Sequence, residues 1–164
     1  MKVIPVPCNA AAFAPFGSLV TGPAQAGDRR MYSDWLKPVS GLQFQFHVNA
    51  VTASALPLMI DRVERHPHAA QVFVPLHVGR YLVTVMPTGA QGQPDPSRAL
   101  CMVVPGNVGV IYRTGVWHAG MTALDHDAQV AVMMRRGAQD DDVFETIPPL
   151  AVLDPKTEMT GTRA

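Results

Sequence analysis

The 164-residue chain predicts an all-β domain with only minor helix, arranged as a sandwich, jelly roll or barrel. Seven short runs rich in Val, Ile, Phe and Tyr, at 42–49, 58–63, 70–76, 80–86, 99–104, 108–113 and 128–134, carry that expectation. Turn-forming residues separate them. Stretches with the 3.6-residue apolar period of a surface helix are scarce.

Residues 1–20 mix apolar side chains with Pro5, Pro7 and Pro15 and end at Phe16-Gly17, which predicts a short strand and a turn of helix on the domain's edge. Residues 21–41, rich in Gly, Arg and Ala, read as a long loop; such loops in compact domains are often functional or disordered. From Leu42 the pattern alternates, with Leu42, Phe44, Phe46 and Val48 against Gln43, Gln45, His47 and Asn49. That is a half-buried strand with His47 on its polar face. The Pro- and Gly-rich segment 87–97 is a surface loop by composition. Past Gly137, Asp140-Asp141-Asp142 form an acidic turn, and residues from about 150 to 164 read as a covering arm or a frayed end. No internal repeat is visible. The whole is one domain with an N-terminal extension over about 1–41.

Composition excludes several classes of function. Thirteen basic and thirteen acidic residues balance, so nothing marks the chain for nucleic acid or an anionic membrane surface. No apolar run approaches the roughly 18 residues of a membrane span, and prolines interrupt the N-terminal segment where a signal peptide would need an apolar stretch. Cys8 and Cys101 are too few for a disulfide framework and read as reduced thiols of a cytoplasmic protein. With 48% hydrophobic and only 16% charged residues, the surface calls for an apolar oligomer interface, most simply a homodimer.

Chemistry concentrates in the stretch Glu64-Arg65-His66-Pro67, with Gln71 and Gly79 after it, and in Gly115-Val116-Trp117-His118 much later. Residues two apart on a strand share a face, so Glu64 and His66 point together while Arg65 points away. Gln71 breaks strict alternation with His66, and a bulge near Pro67 would restore it. Glu64, His66, Gln71 and His118 form a carboxylate, imidazole and amide set suited to first-row divalent ions. Without a second carboxylate, the ion is weakly held or dispensable. His68 shares parity with His66 and is a weaker candidate. Trp117 reads as core or pocket wall. Among Arg65, Arg80, Arg98, Arg113 and Arg136, Arg113 beside Tyr112 is the first choice for binding a substrate carboxylate.

These residues resemble the two cupin motifs, His-x-His-x(3–4)-Glu followed by Gly, and later Pro-x-Gly-x2-His. Glu64 takes the first histidine position, His66 the second and Gln71 the glutamate; Gly79, Gly115 and His118 match, and Arg113 replaces the proline. More closely, Glu64-Arg65-His66-Pro67, Gln71, Tyr112 and Val116-Trp117-His118, with Arg136-Gly137, resemble the ureidoglycolate lyase family over about 56–148. The resemblance implies a cupin-like double-stranded β-helix (jelly-roll barrel), with a Ni, Mn or Zn ion at the site. It also implies cleavage of (S)-ureidoglycolate to glyoxylate and urea in allantoin and purine breakdown. In that reaction His66 or Glu64 takes the hydroxyl proton, His118 or Tyr112 assists the leaving urea, and Arg113, Gln71 and Trp117 contact the substrate. The family's Asn-x-Gly element and following arginine in the N-terminal third are not reproduced cleanly by Gly27-Asp28-Arg29-Arg30-Met31-Tyr32. Two other readings remain open: a metal-dependent oxygenase or isomerase of a small carboxylate, and a non-enzymatic ligand-binding barrel.

Overall fold

The computed structural model describes residues 1–155. β1 (Lys2–Val3) and β2 (Val6–Pro7) lead into the single-turn helix α1 (Ala10–Phe13), and β3 (Gly17–Val20) follows. Asn9 starts α1 by accepting from the Ala12 N–H at 3.0 Å. The stretch expected as loop carries one 3-10 turn, Ser33–Leu36.

The body of the domain is β4 (Gln43–Val51), β5 (Leu58–Arg65), β6 (Gln71–His77), β7 (Arg80–Met86), β8 (Leu100–Pro105), β9 (Gly109–Tyr112), β10 (Trp117–His118), β11 (Thr122–Ala123), β12 (Ala128–Arg136) and β13 (Val143–Val152). One sheet runs β1-β13-β5-β10-β7-β8-β2 with β11 beside β7; the other runs β3-β9-β6-β12-β4. Number β4 to β10 and β12 as one to eight along the chain. The sheets then hold one, eight, three, six and two, seven, four, five, which is the jelly-roll order of two interleaved Greek keys. The expected all-β cupin-like architecture is the one found.

The main core lies between the sheets, where Phe73, Val83, Val85, Tyr112, Val130 and Val132 meet Phe13. A second cluster, with Val63, Leu82, Met86, Trp117 and Ile147, covers the opposite face of the larger sheet.

Three expectations need correction. The 42–49 run is a strand but not a half-buried one: Phe44, Phe46 and Val48 are 50%, 61% and 50% exposed. They lie opposite Arg135, Met133 and Ala131 of β12, on the face turned away from the core, and β4 is the sheet's edge. The expected bulge near Pro67 is instead a change of sheet, since β5 ends at Arg65 and the chain enters the other sheet at Gln71. The acidic turn at 140–142 is found, but the start of the expected arm is strand: β13 pairs with β5 from Val143 to Val152. Pro148-Pro149 disguises it, because prolines cannot donate to a ladder; the register breaks between Thr146 and Leu150 to accommodate them. The remainder of the expected arm, 156–164, lies outside the described residues.

Close packing of β3 on β9 depends on Gly17, where a Cβ would sit 1.8 Å from the Ile111 carbonyl oxygen. Gly17→Ala should therefore cost about 2 kcal/mol or more and lower the melting temperature by several degrees. Gly22→Ala, placed in open space, should leave it unchanged. Equal melting temperatures for the two variants would contradict this packing.

Candidate active site

Register brings the predicted residues together. His118 pairs with Glu64 across β10 and β5 and with Val85 of β7, so all three side chains point between the sheets. Gln71 pairs with Tyr112 on one side and Met134 on the other, which places it on the facing inner surface. His66 sits just past β5, and its carbonyl accepts the Gly115 N–H at 2.8 Å. Gly115 takes a φ of 77°, the left-handed region that favours glycine, so this turn can tie the two imidazole-bearing segments together.

The imidazoles are 5.3 Å apart between ring centroids, and His118 stacks on Tyr112 at 4.1 Å with 15° between the planes. His66 and His118 are buried, at 4% and 1% exposure. Each ring is anchored through Nδ1. His118 Nδ1 donates to the Val116 carbonyl at 2.9 Å; His66 Nδ1 lies 3.1 Å from the Asp141 carbonyl and 2.9 Å from Asp142 Oδ1. A carbonyl only accepts, so both protons sit on Nδ1 and both Nε2 atoms carry lone pairs. Arg136 pairs with Asp142 behind His66.

Three buried atoms at the centre have no hydrogen-bond partner: His66 Nε2, His118 Nε2 and Gln71 Oε1. All three are acceptors. Glu64 Oε1 lies 3.5 Å from His118 Nε2, and Glu64, His66 and His118 each offer a ligand atom within 4.8 Å of one another. The unpaired lone pairs of His66 and His118 beside the Glu64 carboxylate fit a divalent cation, with Asp142 holding His66 as metal-bound histidines are commonly held from behind.

Burial raises the Glu64 carboxyl, but His118, once it carries a proton on Nε2, donates to Glu64 and with the charge of His66 holds the group below its usual range. Burial and the neighbouring His118 push His66 below its ordinary value. Burial, reinforced by the Glu64 charge, raises the Tyr112 hydroxyl above its ordinary value, so it stays protonated.

Other predicted residues are elsewhere. Trp117 is on the opposite face of the sheet, in the second cluster, with the Arg65 guanidinium 4.6 Å from its ring. Arg113 lies over Trp35 at 5.1 Å and donates to the Ala14 carbonyl. Arg80 pairs with Asp125, Arg98 with Asp95, and His68 with Asp140. His47 is exposed on β4. Sequence reasoning missed the role of Asp141 and Asp142, although the acidic run after Gly137 was visible.

A model of the ureidoglycolate lyase family matches residues 1–152. The chain belongs to the ureidoglycolate lyase family. Its relatives include the ureidoglycolate lyase of Azotobacter vinelandii, 34% identical over 84% of this chain and 88% of that protein. That of Burkholderia cepacia is 34% identical over 78% and 76%, and that of Pseudomonas savastanoi pv. phaseolicola 30% over 94% and 96%. Among solved structures, a dTDP sugar isomerase from Desulfovibrio desulfuricans G20 is 20% identical over 81% of this chain and 82% of that one, with a TM-score of 0.45. The family match includes the N-terminal third of the chain.

The lowered pKa of His66 has a definite sign. In the unfolded chain the imidazole titrates near its ordinary 6.5, so above that pH both states are neutral and stability is full. As the pH falls through 6.5, the unfolded chain takes up the proton first and stability is lost. Glu64, also lowered, acts in the same direction at more acid pH, below its ordinary 4.5. The urea midpoint should therefore drop on acidification below pH 6.5, and His66→Gln should flatten the upper part of that dependence. A midpoint that holds steady or rises would contradict the burial of a neutral His66.

Proposed function

We propose that this protein cleaves ureidoglycolate to glyoxylate and urea. The convergence of Glu64 with the two Nε2 lone pairs of His66 and His118 carries the reading. Ureidoglycolate bears a hydroxyl and a urea nitrogen on one carbon. Taking the hydroxyl proton and protonating the departing nitrogen yields the aldehyde, so a base and an acid must face the same carbon. Glu64, held ionised and partly open to solvent, accepts the hydroxyl proton. The Glu64 carboxyl then returns that proton to the urea nitrogen as the carbon–nitrogen bond breaks, while His118 Nε2, 3.5 Å from Glu64, keeps its lone pair. Tyr112 keeps the His118 ring in place from behind. His66, neutral and fixed by Asp142, closes the far wall.

Glu64, His66, His118 and Gln71 would hold a divalent ion such as Ni, Mn or Zn, whose positive charge would favour ionisation of the substrate hydroxyl. One carboxylate among four donors makes it weakly held and exchangeable. The working unit is a homodimer: the exposed Phe44, Phe46 and Val48 of edge strand β4 are an apolar surface that a second copy would cover. Two free thiols, Cys8 and Cys101, suit the reducing cytoplasm. No helix among the described residues is long and apolar enough to cross a membrane.

Incubation of the purified protein with racemic ureidoglycolate should release glyoxylate and urea in equal amounts from one enantiomer. A chelator should slow the reaction, and added Ni, Mn or Zn should restore it. His118→Ala should lower turnover by roughly a hundredfold or more while the circular dichroism spectrum is kept. Absence of urea from the wild type would refute the reaction. Wild-type turnover by His118→Ala would remove that residue from it.

A further inference from the structure

The substrate of this reaction is a carboxylate and Glu64 at the site is an anion, so a guanidinium beside them would offset like charge with or without a bound ion. The arginines expected for that task are paired or turned away: Arg136 with Asp142, Arg80 with Asp125, Arg98 with Asp95, Arg113 out to Trp35 and the Ala14 carbonyl, and Arg65 onto Trp117 on the opposite face of the sheet. Arg62 is different. It lies two residues before Glu64 on β5, on the same face of the strand. Its guanidinium rests 4.0 Å over the ring of Phe144, and Phe144 is the cross-strand neighbour of Glu64. Among the described residues no hydrogen bond or ion pair engages its guanidinium, which leaves the donors free.

Arg62, Val63, Glu64, Gly120 and Phe144 line one cavity of about 170 Å³. Gly120 follows His118 by two residues, and a Cβ there would meet nothing within 4 Å, so the missing side chain leaves the space open. The geometry points to this cavity as the subsite for the substrate carboxylate, with Arg62 as its bidentate partner and Gly120 providing the room. Arg62 is preset by the Phe144 ring, and a planar guanidinium matches a carboxylate with two parallel hydrogen bonds. A carboxylate bound there leaves the neighbouring carbon beside Glu64, whose carboxylate lies 3.5 Å from His118 Nε2. The charge of the bound carboxylate is offset by Arg62 where it would otherwise meet the Glu64 carboxylate.

The inference rests on the lyase reading, and two measurements separate their fates. In steady-state kinetics, Arg62→Gln should raise KM by roughly ten- to a hundredfold, the range for a charge-assisted hydrogen bond, while kcat falls far less. Arg62→Lys should recover part of the loss, since an ammonium keeps the charge without the fork. Gly120→Val, with Arg62 intact, should also raise KM by filling the space. A wild-type KM in Arg62→Gln would overturn the assignment while leaving the reaction standing. If the wild type releases no urea, calorimetric titration with glycolate decides the subsite alone. Binding that is lost in Arg62→Gln and weakened in Gly120→Val supports it; binding unaffected by either change, or no binding to the wild type, overturns it.

Discussion

The site depends on two hydrogen bonds made on the side of each imidazole away from the centre. Val116 and Asp141 present backbone carbonyls to His118 and His66, and a carbonyl can only accept. Each ring must therefore keep its proton on Nδ1 and turn a bare Nε2 inward. Buried acceptors with no donor are costly. Two of them, beside the Glu64 carboxylate, make a centre that favours something positive or a proton-bearing substrate.

The jelly roll supplies the means of holding that arrangement. Glu64 and His118 are cross-strand partners in one sheet, Gln71 and Tyr112 in the other, and the stack of Tyr112 on His118 spans the gap between them. His66 belongs to the crossover between sheets, so its position depends on the turn at Gly115 and on the loop that brings Asp141 and Asp142 back from β12. Belonging to the ureidoglycolate lyase family places this constellation among relatives named for one reaction, and the protonation states found here suit a base and an acid facing a single carbon.

Much of this was legible in the sequence because period-two parity is a strong constraint. Glu64 and His66 had to share a face, and the resemblance to the second cupin motif, not parity, added His118 to them. Arg113 is the residue just past the end of β9, and while Tyr112 turns toward His118, Arg113 turns outward to Trp35. Other features needed three dimensions. Alternation in β4 identified a strand but could not say which side the core lay on, and the apolar face proved to be the outer one. Pro148-Pro149 concealed β13, and with it the neighbour that holds Arg62 beside Glu64. Asp142 looked like part of a solvated acidic turn because nothing local tied it to an imidazole so far away in the chain.

The tautomers of the two histidines test the account most directly. Long-range nitrogen–proton correlation spectra of imidazole-labelled protein, free of added metal and at neutral pH, should show His66 and His118 both protonated at Nδ1 and bare at Nε2. Protonation at Nε2 in either ring, the form usual for solvent-exposed histidine, would contradict the inward-facing lone pairs and the chemistry built on them.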